Sequence, residues 1–298
     1  MHSLKEESKW RSALVLMRIP FSVFLMPIFW LALMSVSTRD LNWFNVVLVF
    51  VVWHLFIYPA SNGYNSYFDR DEGSIGGLKT PPKVNKELFW LTIIFDSLGL
   101  LLALYINWLF GLMVLAYVLV SKAYSWDKIR LKRWPIISLL VVTIFQGGFT
   151  LFASQIGFGI EDWNHLPNWC FAATSTLFLM GSYPITQVYQ HDEDAKRGDK
   201  TLSRLLGVKG TFIFSAILFA IASVCLLIGF YLNGEWQLWL VYLWCMLPVS
   251  IGMKKWTTKV WQDESHANFE NTMKMNKRSS MLLSLAFIII MVYSVISK

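Results

Sequence analysis

Charge is what this chain has least of. Asp, Glu, Lys and Arg make up 15% of its 298 residues, against about a quarter in a soluble domain. That shortage excludes a water-soluble globular enzyme. Cysteine is scarcer still. Cys170, Cys225 and Cys245 lie in apolar runs without metal-ligand spacing, which removes both a disulfide framework and a thiolate metal centre. They read as small buried hydrophobes. No small-residue cleavage site follows the first apolar run, which begins near Ser12, so that run is expected to be a retained span and not a signal peptide.

What the chain has instead is apolar length. Hydrophobic residues make up 55% of the sequence, in runs of about 20, enough for a helix to cross roughly 30 Å of hydrocarbon. Nine spans are expected, near 12–34, 42–61, 88–106, 108–124, 135–156, 168–189, 210–232, 236–253 and 280–297. The expected fold is all-α, a polytopic bundle of nine transmembrane helices around an apolar cavity, in one domain covering 1–298. Residues 1–11 form a cytoplasmic tail in this scheme. The formal net charge of +7 does not point to nucleic acid, because the basic residues sit in short loops between apolar runs. Arg70, Lys79, Lys83 and Lys86 follow the second span, and Lys122, Lys128, Arg130, Lys132 and Arg133 follow the fourth. The opposite side keeps only Arg39 and Lys298. Positive charge of this kind orients a membrane protein and meets lipid headgroups. It places the N-terminus and the long loops in the cytoplasm; the expected location is the inner membrane of a bacterial cell. Trp43, Trp108, Trp163, Trp169 and Trp236 suit an aromatic belt at the other face.

Acidic residues concentrate in two stretches, 61–87 and 187–209, after the second and sixth spans. Basic loops follow the fourth and eighth. This spacing suggests a four-helix unit used twice plus a closing helix, which would bring the acidic stretches to matching places. In the first, Asn65 and Asp69 are four apart and share a face if the second span continues as helix. Gly73, Gly76 and Gly77 end it, beside Asp71 and Glu72. In the second, Gln187, Gln190, His191 and Asp194 fall at helical spacing, flanked by Asp192 and Glu193. Oxygen donors of this kind suit Mg²⁺, which takes few carboxylates and fills its shell with water and phosphate oxygens. The loop AYSWDKIRLKRWP adds cations beside Tyr124, which phosphate oxygens require.

These pieces resemble the UbiA superfamily of intramembrane prenyltransferases over nearly the whole chain. The resemblance is carried by N65-S-Y-F-D69, by Y124-S-W-D-K-I-R130-L-K132, and by Q190-H-D-E-D194-A-K-R-G-D-K-T-L-S-R-L-L-G. MRIPFSVFLMP and ENTMKMNKRSS resemble the family's ends. The pattern departs at Gly73 and Gln190, where the family carries acids, and at Asp127 and Lys128, where many members carry Pro-Pro. The resemblance implies Mg²⁺ held by Asn65, Asp69, Asp71, Gln190, Asp192 and Asp194, with Asp69 and Asp194 catalytic. It implies a polyprenyl diphosphate held by Arg70, Lys79, Tyr124, Arg130, Lys132 and Lys200, and a small-molecule acceptor, often aromatic. The diphosphate would leave an allylic cation for the acceptor to attack, shielded from water by the bundle.

Two other functions compete with this one. A secondary transporter would place charged or broken segments at mid-bilayer, whereas the acids here lie at helix ends. A non-catalytic isoprenoid-binding relative is suggested by Gly73 and Gln190. A CDP-alcohol phosphotransferase is excluded, because its Asp-Gly-x-x-Ala-Arg signature is missing. Within the spans, Asp96 is a functional candidate or a hydrogen-bonded packing residue, and His54 reads as an interior histidine.

Overall fold

The computed structural model describes residues 2–36 and 41–297, and the side chains of 2–8, 196, 197 and 297 fall outside that description. Arg39 and Lys298, the two basic residues expected on the far side, lie outside the described residues. The regular elements are helical: α1 His2–Leu16, α2 Met26–Met34, α3 Trp43–Val51, α4 Tyr58–Asp69, α5 Lys86–Ile106, α6 Trp108–Ser125, α7 Pro135–Ile144, α8 Thr150–Phe158, α9 Leu166–Ile185, α10 His191–Arg197, α11 Leu202–Leu232, α12 Leu238–Gln262 and α13 Phe269–Ser297. Extended pairing among the described residues is limited to an isolated bridge between Ile75 and Leu78.

Among the described residues, seven helical stretches are long and apolar enough to cross a membrane: Lys9–Met34, Trp43–Asp69, Lys86–Ile106, Trp108–Ser125, Pro135–Phe158, Leu202–Leu232 and Phe269–Ile296. The expected spans 168–189 and 236–253 coincide with α9 and α12, which lie outside that set. The reason in α9 is its polar content. Asn168, Thr174 and Ser175 are buried there, and the two hydroxyls donate to carbonyls one turn back, Thr174 to Cys170 and Ser175 to Ala172. The expected tail at 1–11 is helical from His2.

The chain divides into two units, Met1–Ser22 with Asn42–Arg133, and Val23–Leu41 with Trp134–Lys298. In the first, α3 passes through a π-helical turn, Val52–Ile57, into α4. Side-chain caps start α5 and α6. Asn85 Oδ1 accepts from Leu88 N at 3.1 Å, and Asn107 Oδ1 accepts from Leu109 N and Phe110 N at 2.8 and 3.1 Å. A core of Ala13, Leu16, Met17, Ala60, Leu88 and Leu91 also takes in Ile75. That contact anchors the first acidic stretch to the helices below it.

In the second unit, Ile185, Val188, Phe212, Trp256, Val260 and Ala267 form a core directly beneath the second acidic stretch. A π-helical turn, Phe145–Phe149, joins α7 to α8, with Gly147 at φ −94° and ψ −108°. A Cβ on Gly147 would sit 2.7 Å from Thr176 Cα and 2.8 Å from Thr176 N. Backbone atoms of α9 cannot move aside as a flexible side chain would. Small residues permit such close helix approach in membranes. Gly147→Ala is therefore expected to cost about 2 kcal/mol or more, read as a lowered Tm in detergent. An unchanged Tm would contradict so tight a crossing.

Many large apolar side chains are exposed, among them Trp90, Leu101, Tyr105 and Ile217. On a soluble protein such a surface would aggregate. Here it is the lipid-facing side of membrane helices.

Candidate active site

The first acidic stretch is carried by the end of α4. Arg70, at φ 51° and ψ 41°, stops the helix in the left-handed conformation one residue after Asp69. Asn65 and Asp69 thus occupy its last turns, on one face as the spacing predicts. Asn65 Nδ2 donates to Ser125 Oγ at 3.1 Å. One turn earlier Ser61 Oγ and Ser121 Oγ lie 2.7 Å apart. Lys132 Nζ lies in direct contact with Asp69 Oδ1, and both side chains are only 9% exposed. So Asn65, Asp69 and Lys132, expected as two metal ligands and a phosphate ligand, are neighbours, and the cation already neutralises the carboxylate.

The other cations are placed differently. Arg130, at φ 46°, donates from Nη1 to Asp127 Oδ1 at 3.2 Å, so the Asp standing in the middle loop engages it. Arg70 and Lys79 are exposed, Asp71 and Tyr124 are half-buried, and the carbonyl of Lys79 accepts from Ser74 Oγ at 2.9 Å.

Two residues that the sequence left outside the site support it. Arg18, also left-handed at φ 50°, donates to Gly76 O at 3.2 Å and to Asn62 O at 3.0 Å. It ties the acidic stretch to the segment that follows α1. A Cβ on Gly76 would meet Phe21 Cζ at 2.6 Å, so a larger residue there would require the Phe21 ring to shift. The available signal was a lone arginine inside an apolar run. Lys122, which the sequence counts as a loop charge, reaches Asp96 on α5 at 2.5 Å and covers the Tyr64 ring at 4.1 Å. Asp96 is thus half of an ion pair.

The second acidic stretch lies in the other unit. Gln187, Gln190, His191 and Asp194 do not lie on one uninterrupted helix. Pro184 and Thr186 end α9, a tight 3₁₀ turn covers Val188–Gln190, and α10 restarts at His191. Asp194 is buried, and its Oδ2 accepts from Thr201 Oγ1 at 3.4 Å. Thr201 also caps α11 through Arg204 N. Arg204 Nη1 is in close contact with the carbonyl of Asp199. Asp192 and Lys200 are exposed, Gln190 half-buried. His191 Nε2 lies 2.7 Å from Ser203 Oγ. Burial, reinforced by Arg204, holds this imidazole below its ordinary pKa, against the pull of Asp192 and Glu264. Gly207 breaks α11 at φ 67° and ψ 174°, a conformation reserved for glycine. The break lets Thr211 Oγ1 reach Ser203 Oγ at 3.1 Å.

The donor chemistry fits a hard divalent cation. In the first stretch Asn65 offers a carbonyl oxygen and Asp69 a carboxylate; in the second, Asp194 offers a carboxylate and Gln187 Oε1 is buried without a hydrogen-bond partner. Among the described residues no three His, Cys, Asp or Glu side chains gather closely enough to hold a metal ion. Mg²⁺ does not need that many, because it is bound through one or two carboxylates plus substrate phosphates and water.

The structure is that of a membrane-spanning helical protein with oxygen donors and cations at the ends of its helices. The chain belongs to the UbiA prenyltransferase family, whose model matches residues 24–278, and it is a prenyltransferase. It is 30% identical over 212 residues to digeranylgeranylglyceryl phosphate synthase of Thermococcus kodakarensis, covering 69% of this chain and 70% of the relative. A structure of a UbiA homolog from Archaeoglobus fulgidus bound to DMAPP and Mg²⁺ superposes with a TM-score of 0.71 at 18% identity, covering 95% of this chain and 98% of the other. The apo structure of a UbiA homolog from Aeropyrum pernix K1 gives 0.68 at 17% identity, covering 91% and 98%.

Proposed function

We propose that the chain transfers a prenyl group from a polyprenyl diphosphate to a small acceptor inside the membrane, with Mg²⁺. The observation that carries this reading is the pairing of a buried carboxylate, Asp69, with a buried cation, Lys132, at the end of a membrane helix. A carboxylate can take a metal, and the ammonium it releases can take a phosphate oxygen. Asn65, Asp69 and Asp194 are the proposed metal ligands, with Asp71, Gln190 and Asp192 as outer donors. Mg²⁺, when bound, would neutralise the diphosphate as it departs. Lys132 and Arg130 hold phosphate oxygens, with Arg70, Lys79 and Lys200 at the rim and Tyr124 beside them. The C1–O bond of the prenyl donor breaks with its electron pair on the diphosphate. The acceptor atom bonds to C1 and loses a proton.

Nine spans, with the N-terminus and both acidic stretches cytoplasmic, complete the reading. The basic loops and the helices at 166–185 and 238–262 support it. Structures of an Archaeoglobus fulgidus homolog bound to GPP and Mg²⁺ and to DMAPP and Mg²⁺ support the donor and the metal. The Thermococcus kodakarensis relative adds a phosphoglyceryl lipid to the aromatic acceptors to be tried. The purified protein would be given a radiolabelled prenyl diphosphate and a panel of both acceptor classes. Labelled product should form with Mg²⁺, vanish on chelation by EDTA and return when Mg²⁺ is restored. Turnover untouched by EDTA, or diphosphate binding without any turnover, would overturn the proposal.

A further inference from the structure

A primary amide has two ends, and only the carbonyl oxygen can ligate Mg²⁺. An Asn that serves as a metal ligand therefore needs its N–H end held elsewhere, or half its orientations are useless. In α4 the N–H end of Asn65 is taken by the hydroxyl of Ser125, 3.1 Å away, and Ser125 is 1% exposed. The hydroxyl is placed by the helices around it. Ser61 and Ser121 form a second rung one turn earlier on the same two helices, so α4 and α6 are tied at 61 and 65 against 121 and 125. Between those rungs Lys122 is fixed to Asp96 of α5 and lies over Tyr64. We propose that Ser125 is a positioning residue that sets the amide of Asn65 with its oxygen turned to the metal. This proposal rests on the Mg²⁺ reading above.

The two rungs supply a matched comparison. Each links α4 to α6 through one hydrogen bond, but only the outer rung ends on a proposed ligand. Removing an outer-shell partner of this kind typically weakens metal affinity about 10–100-fold. The test is Mn²⁺ binding to the full-length protein in detergent, read by electron paramagnetic resonance with a non-hydrolysable prenyl thiolodiphosphate present. Ser125→Ala is expected to weaken Mn²⁺ binding about tenfold, with Ser125→Thr restoring most of it and Ser121→Ala leaving it unchanged. In turnover, Ser125→Ala should raise the Mg²⁺ concentration for half-maximal rate while kcat at saturating Mg²⁺ is kept. Wild-type affinity in Ser125→Ala would overturn the inference and leave the Mg²⁺ reading intact. Equal weakening in Ser121→Ala would reduce it to helix packing. A wild-type protein that binds no Mn²⁺ would remove both.

Discussion

Asp69→Asn is expected to lower prenyl transfer about 1,000-fold, the rate equivalent of roughly 4 kcal/mol of lost transition-state stabilisation. The substitution keeps the shape and one carbonyl oxygen but removes the charge. Asp194→Asn should fall by a similar factor. The double variant is expected to be little slower than either single one, because groups that act as a unit are strongly non-additive. Single-turnover rates with a radiolabelled donor would measure all three. Losses that multiply would contradict a shared site. A single variant with wild-type rate would remove its residue from the site.

The second large effect concerns Lys132. Its ammonium and the Asp69 carboxylate are in contact and nearly buried. Breaking such a pair by removing one partner costs about 3–5 kcal/mol, because a buried charge is left uncompensated. Lys132→Ala should therefore lower the Tm in Mg²⁺-free detergent and nearly abolish turnover. Mg²⁺ should stabilise this variant more than it stabilises the wild type, since the ion replaces the missing cation. The double variant Asp69→Asn with Lys132→Met should recover stability, as apolar replacements of buried pairs do, but not activity. A Tm deficit that Mg²⁺ leaves unchanged would contradict the exchange of partners proposed for Asp69.

The helical fold and the face of α4 were readable because both depend on local spacing. Apolar runs fix the helices, and the four-position spacing from Asn65 to Asp69 fixes a shared helix face. The glycines at 73, 76 and 77 announced that the helix would end. The contacts that support the site were not readable, because they join residues far apart in sequence. Lys122 looked like a loop charge because it follows an apolar run. Its stem is long enough to turn back to Asp96, 26 positions earlier. Arg18 was similarly hidden, since its partners are backbone carbonyls at 62 and 76, which carry no residue-specific signal. The break between α9 and α10 was missed for another reason. Gln187 to Asp194 keep helical spacing, yet Pro184 ends the preceding helix and a 3₁₀ turn resets the phase.

The most direct measurement is an experimental structure of the protein with Mg²⁺ and a non-hydrolysable prenyl diphosphate. The expected result is one diphosphate whose metal ions are ligated by oxygens of both Asp69 and Asp194, at about 2.0–2.1 Å. A diphosphate whose ions meet only one of the two acidic stretches would contradict it.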